Sequence, residues 1–403
     1  MRICFIADSS SIHVHRIVAF FVQEGHEILV ISTAIHKADL SHVIMVYGLP
    51  TVASASRGNE GHLYPARKSA LRRYIAAKCK REHKELVRRF IRIARLFLYR
   101  RHCFARIEEF APQVICIIRA FPEGLYARWG KFEHFVLRTA GSDISYYPRI
   151  PILGHFIRKV IRQADYIITQ SEYERAYLRQ ELDVHSRIEI TNIGTDVTLF
   201  RPTDRCNRAR YGLQLDSIVV VSNRYLEGFY NGLSVIEAFI HAKKQFCKLE
   251  LLYISPSPIT EIIRKKITSM SADIDGLHIV EGPIPPEEMA EALNCGDIWV
   301  SLSSVDGVPN SMLEAMSCGL VPIVSDIPQL HEWVRHGDNG FVVPLQDIVA
   351  MADRIVELAS NKTLLTTFSF RCRERIHQQG SYEDNMRRMV KFVAEAACSQ
   401  NKS

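Results

Sequence analysis

The sequence predicts an α/β protein built from two doubly wound, Rossmann-like domains, and three observations carry that prediction. Short apolar runs rich in Val, Ile and Leu alternate with stretches of helical period, beginning at residue 2 and restarting at SIVVVS, residues 217–222. Between the two series, NIGTDVTLFRP (192–202) interrupts regular structure with Gly194, Asp196 and Pro202, which sets a boundary near residue 203. At 403 residues, 47% of them hydrophobic, the chain can give each half its own core. The expected domains are 1–202 and 203–380, followed by a closing helical segment at 381–403.

RICFIAD reads as a buried strand and SSSIH as a polar turn. A helix follows over about 13–24, with Ile17, Val18, Phe20, Phe21 and Val22 on its apolar face and Gly25 ending it. EILVIS is the second strand. This unit lacks Gly-x-Gly-x-x-Gly, so a nicotinamide or flavin site is not expected here. His13 is either a helix-start residue facing solvent or a group of the site.

Residues 67–102 have the chain's most unusual composition. Lys and Arg recur throughout, only Glu82 and Glu85 oppose them, and Leu86, Phe90, Ile93, Ala94 and Phe97 fall at three- and four-residue spacing. A long basic amphipathic helix is expected. Its basic face suits an anionic membrane, each group near the surface contributing about 1 kcal/mol before screening. Alternatively the stripe packs on the domain's own sheet and the cations are solvated. Nucleic acid is not expected as a partner, because no recognition motif accompanies the charge.

PQVICII and HFVLRT are further strands, and the turn AGSDI follows the second. ADYIIT is another strand, and Ser171 with Glu174 three residues on caps the next helix. RIEIT closes the first series. In the second half Arg224 lies just past a strand end, where its rigid fork can reach phosphate oxygens. KLELLYIS and LHIVEG continue the alternation, the turn around Ile284 precedes the helix PPEEMAEAL, and DNGFVVP is expected at a sheet edge.

The most informative stretch is residues 297–326, DIWVSLSSVDGVPNSMLEAMSCGLVPIVSD. It reads as strand, tight turn, helix, strand, with Gly307 and Pro309 in the turn and Gly319 ending the helix. Ser311 is expected to open the helix in a capping box with Glu314. Backbone N–H groups there suit an anion, since a helix start favours a phosphate by roughly 0.3–1 kcal/mol besides its hydrogen bonds. Asp306 and Glu314 frame the same loop. A carboxylate repels phosphate, so these two fit neutral sugar hydroxyls better, or else serve only the turn and the helix cap.

This segment resembles the signature of glycosyltransferase family 4, retaining nucleotide-sugar-dependent enzymes of the GT-B fold. The mark is two acidic residues separated by seven, the second in a Glu-Ala-Met-Ser/Ala-x-Gly helix. Asp306 stands where many members have Glu, and Glu314 matches. The resemblance implies two Rossmann-like domains facing across a cleft, with the last helix crossing back to the first domain. It implies that Asp306 holds donor-sugar hydroxyls, Glu314 the ribose, and Gly307, Val308, Pro309, Asn310 and Ser311 the diphosphate through backbone groups. The turn at Ile284 would hold the base, and Arg224 the leaving diphosphate.

Departures from the family pattern are specific. The first turn carries Ser9, Ser10, Ser11 and His13 in place of glycines, so Ser11 and His13 would have to serve the donor. Ala140 stands where many members have His, leaving Asp143 as the nearest group for the sugar or acceptor, unless it only caps its turn. Phe229 and Tyr230 stand where a second cation is usual.

The function expected is transfer of a sugar, with retention, from a nucleotide diphosphate to a lipid-linked or surface-polysaccharide acceptor, with Asp143, Arg224 and Asp306 as the catalytic residues. The alternatives are a nucleotide-sugar epimerase of the same fold and a non-catalytic sugar-nucleotide-binding subunit. No metal ligand set or cofactor is expected. The N-terminus does not read as a secretory signal, and ten cysteines are scattered without a close pair or zinc spacing, which suits a reducing cytoplasm. The expected location is peripheral, at the inner face of the cytoplasmic membrane, through residues 67–102.

Overall fold

The computed structural model describes residues 1–34, 43–47, 81–151, 153–203, 206–270 and 275–400. The chain divides into two compact units. One comprises Met1–Arg138, Phe156–Ile167 and Val393–Ser403, and the other comprises Thr139–His155 and Ile168–Phe392.

The first sheet has seven strands: β1 (Arg2–Ala7), β2 (Glu27–Ser32), β3 (Ile44–Tyr47), β4 (Val114–Ile118), β5 (Val136–Arg138), β6 (Tyr166–Thr169) and β7 (Arg187–Ile190). Their order is β3-β2-β1-β4-β5-β6-β7, and β1 pairs in parallel with both β2 and β4. β3 falls outside the strands expected from sequence. The helix after β1 runs Ile12–Gln23 and buries Val14, Ile17, Val18, Phe20 and Phe21. Gly25 follows in the left-handed region, as expected of a helix stop.

The second sheet has six strands: β8 (Ile218–Ser222), β9 (Leu249–Ser255), β10 (Leu277–Glu281), β11 (Ile298–Ser301), β12 (Val321–Ser325) and β13 (Phe341–Val343). The order is β10-β9-β8-β11-β12-β13, with every pairing parallel and β13 at the edge. Alternate residues feed two cores, one on each face. Val219, Val221, Trp299 and Val324 join one, while Val220, Ile298, Val300 and Ile323 join the other. Strands buried on both faces explain why these runs are apolar throughout and do not alternate.

Sequence order reverses between β8 and β11. In open parallel sheets that switch point leaves a crevice outside the carboxyl ends of the two strands, where ligands bind.

The basic helix spans Arg81–Phe110. Residues 67–80 of the expected segment, and the side chains of Leu86 and Phe90, lie outside the described residues. Where side chains are described, the core stripe differs from expectation. Leu96, Cys103 and Ile107 are buried, whereas Phe97 is 43% and Leu98 72% exposed. The run Leu96–Tyr99 turns through most of the helix circumference, so only one of its four residues can face the sheet. Cys103 and Ile107, seven and eleven residues on from Leu96, fix which one.

That register makes a direct prediction. Leu96→Ala should cost about 2–5 kcal/mol of unfolding free energy, and Leu98→Ala under about 1 kcal/mol. Equal shifts of the denaturant midpoints would contradict the assigned face.

Candidate functional site

The carboxyl ends of β8 and β11 bring the expected residues of the second half together. Arg224 comes two residues after β8, and the loop after β11 runs through Asp306 into the helix Asn310–Cys318. The Arg224 guanidinium donates to the Ser311 hydroxyl at 2.9 Å and pairs with the Asp306 carboxylate. Only 11% of the Arg224 side chain and 15% of that of Asp306 are exposed. The Tyr230 ring lies under the guanidinium at 4.4 Å, an aromatic face where the resemblance would have placed a second cation. Burial pushes the Asp306 carboxyl above its ordinary value, while Arg224, the Gly307 amide and the Ser303 hydroxyl pull it down.

Sequence reasoning did not identify the residues that hold this pair. The buried Tyr253 of β9 donates its hydroxyl to the Arg224 carbonyl at 3.0 Å. Gly232 opens the helix Gly232–Gln245 because a Cβ there would lie 2.0 Å from that hydroxyl. The Trp299 indole donates to Asn223 at 2.8 Å. Asn231 donates to the Leu302 carbonyl at 2.8 Å and the Ser304 hydroxyl at 2.7 Å, tying the β8 and β11 loops together. Asn231 therefore positions the loop.

The Asp306–Val308 loop is also braced by the segment after β5. A Cβ on Gly141 would lie 2.5 Å from the Gly307 nitrogen, so only glycine permits this approach. Gln170 accepts the Val308 N–H at 3.3 Å. Asp143 is buried and accepts the Ala140 N–H at 3.0 Å, which makes it the cap of its own turn. Ser171 accepts the Glu174 N–H, as expected.

Two expectations for the loop need correction. Ser311 does not cap the helix: the cap position is Pro309, which has no side-chain acceptor, and Ser311 lies inside the first turn, where its hydroxyl meets Arg224. The expected row of backbone donors is also shorter. The Gly307 amide turns onto Asp306 at 3.0 Å, the Val308 amide onto Gln170, and Pro309 has no N–H. Gly319 ends the helix in the left-handed conformation, as expected.

Glu314, one turn into the helix, is half-buried. Ile284, half-buried in the turn after β10, packs on the cluster that contains Val308, Met312 and Leu313. In the first unit two hydroxyls of the turn after β1 are engaged within that unit. Ser9 bonds Ser32 at 2.6 Å and Ser10 bonds Asp8 at 2.6 Å. Ser11 precedes the helix without capping it, and His13 is exposed. A separate cavity of about 330 Å³, lined by Asp326, His331, Val334, Arg335, His336 and Val342, contains none of the expected residues.

Residues 217–361 match the family model described as Glycosyl transferases group 1. That match lies wholly within the second half of the chain. Arg224, Ile284, Asp306–Ser311 and Glu314 all fall inside it. The chain is 21% identical over 254 residues to the N-acetyl-alpha-D-glucosaminyl L-malate synthase of Bacillus anthracis, covering 62% of this chain and 65% of that protein. It thus spans less than two thirds of the length of curated relatives that it matches. Among solved structures, a sucrose-phosphate synthase from Thermosynechococcus elongatus has a TM-score of 0.75 at 18% identity, with 99% of this chain and 100% of that one covered. HepE from Anabaena, solved with UDP-glucose, has a TM-score of 0.70 at 11% identity, covering 98% and 100%. These likenesses establish the two-domain α/β fold.

The brace from Gly141 is testable. Gly141→Ala should destabilise the protein by about 1–3 kcal/mol, since backbone must move to admit the methyl group. An unchanged melting temperature would show that the Gly307 contact is not tight.

Proposed function

We propose that the chain is a retaining glycosyltransferase. It moves a sugar from a nucleotide-diphosphate donor to a lipid-linked or surface-polysaccharide acceptor at the inner face of the cytoplasmic membrane. The observation that carries this reading is the meeting of Arg224, Asp306 and the start of the Asn310–Cys318 helix at the β8–β11 switch point, inside the segment that matches the group 1 model.

Each residue then has a task. Departure of the nucleotide diphosphate builds negative charge on its phosphate oxygens, and Arg224 with the helix start stabilises that charge electrostatically. A diphosphate carries more charge than one carboxylate, so it draws the guanidinium from Asp306. Asp306 then turns to the sugar hydroxyls, Glu314 to the ribose, and the turn at Ile284 to the base. Ser11 and His13 are assigned to the donor on the resemblance alone. Asp143 acts by holding the Ala140–Ser142 turn, and it is not proposed as a nucleophile. The reading requires no metal ion.

Attachment to the membrane surface is supported by the helix Arg81–Phe110, which exposes Phe97, Leu98 and Tyr99 beside Arg100 and Arg101. No helix among the described residues is long and apolar enough to cross a membrane.

Incubation with labelled UDP-sugars, with and without bacterial membranes, tests the acceptor. Label in the lipid or polysaccharide fraction is expected, and transfer only to a small hydroxy acid such as L-malate would overturn the acceptor class. Glu314→Ala should abolish thermal stabilisation by the donor's nucleotide, and an unaltered shift would remove Glu314 from the site. Arg224→Ala should lower turnover by about 10²–10³-fold, the usual cost of one transition-state donor. Replacing Phe97, Leu98 and Tyr99 with Ser should weaken binding to phosphatidylglycerol vesicles at low salt. Undiminished binding would exclude this surface.

A further inference from the structure

The ten cysteines show no pairing in sequence, yet the fold brings two of them together. Cys206 and Cys295, 89 residues apart, place their sulfur atoms at 2.7 Å, with the Cys206 thiol donating to Cys295. Both are thiols in the structure. We propose that they form an oxidisable dithiol, which hydrogen peroxide converts to an intramolecular disulfide.

Geometry carries the proposal. A disulfide needs its sulfurs at about 2.05 Å, so closure asks for a displacement of well under 1 Å. The flanking chain is already clipped on both sides of the pair. Asn294, next to Cys295, accepts the Thr203 N–H at 2.9 Å and donates to the Arg201 carbonyl at 3.1 Å. Two residues beyond each cysteine, Arg208 meets Asp297 at 3.2 Å. The two sulfurs are therefore held in register by contacts independent of them.

The two thiols differ in access. Cys295 is buried in the core, where burial and then its bond with Cys206 push its pKa up, whereas Cys206 is half-buried. Cys206 is accordingly the sulfur that meets the oxidant. Its thiolate attacks one peroxide oxygen, the O–O bond breaks, and the departing hydroxide takes a proton to leave as water, giving Cys206 sulfenic acid. The Cys295 sulfur then attacks the Cys206 sulfur. Its proton goes to the departing hydroxide, and a second water leaves. Two thiols lose two electrons, and one peroxide becomes two waters.

The bridge would join the chain entering β8 to the chain entering β11. These are the amino ends of the strands whose carboxyl ends carry Arg224 and Asp306. Oxidation should therefore stiffen the domain without rearranging the site, and it closes a long loop in the unfolded chain.

The test treats the full chain with peroxide, blocks free thiols, and maps a non-reducing digest. The exposed Cys247 reports that oxidant reached the protein. A cross-linked Cys206–Cys295 peptide is expected, lost on reduction and absent from Cys206→Ser. The melting temperature should rise by several degrees in the parent chain and stay put in Cys206→Ser. Should both thiols still alkylate at doses that oxidise Cys247, the proposal is wrong. Cys295→Ala provides a second control: a persistent temperature rise there would equally overturn it.

Discussion

A cation shielded from water sets the terms for everything at the β8–β11 switch point. Arg224 sits with about a tenth of its side chain exposed, and a guanidinium so placed is costly unless its charge and its N–H groups are answered. Asp306 supplies the charge, Ser311 an acceptor and Tyr230 a π face, while the buried Nε–H is left without an acceptor. An anionic ligand arriving here therefore competes with a partner already in place. It must offer the guanidinium more than a carboxylate does, and a diphosphate, with more oxygens and more charge, can. Under the proposed reading the exchange also links two events, because the group that draws Arg224 away frees Asp306 for neutral hydroxyls.

The pair holds its place through neutral contacts that come from distant parts of the chain. Tyr253 fixes the Arg224 backbone, Trp299 fixes Asn223, and Asn231 ties the β8 loop to the β11 loop. On the other side Gly141 and Gln170 press on the Asp306–Val308 segment. None of these groups carries charge. A scaffold of neutral donors, acceptors and close packing positions the two charges without adding a third.

Much of this was legible in the sequence, and the missing part has a common cause. Strand runs such as SIVVVS and DIWVSL, the Gly25 and Gly319 stops and the Ser171 cap depend on neighbours within a few residues, and the structure has them as expected. Arg224 was marked as a site residue by its place just past a strand end, and Asp306 and Ser311 by the turn-and-helix pattern and the family resemblance. Their mutual contact was not legible, since Arg224 and Asp306 lie 82 residues apart and neither motif refers to the other. The same holds for Gly141 against Gly307, for Tyr253 against Gly232, and for the Cys206–Cys295 pair. The capping-box expectation failed for a related reason. The spacing of Ser311 and Glu314 is right for a box, but Pro309 takes the cap position and the Ser311 hydroxyl is drawn to a distant arginine.

The helix Arg81–Phe110 shows the opposite difficulty, a local pattern rich enough to support two faces. Four consecutive apolar residues, Leu96–Tyr99, cannot all point at one sheet, so a sequence that needed only a core stripe would not carry them. Leu96 suffices for packing, continued by Cys103 and Ile107. Phe97 packs edge-on against Trp129 with its outer edge exposed, Leu98 points away from the core, and Arg100 lies over the Phe97 ring at 3.4 Å. Under the proposed reading this exposed basic and apolar surface meets a membrane that supplies both negative charge and an apolar layer.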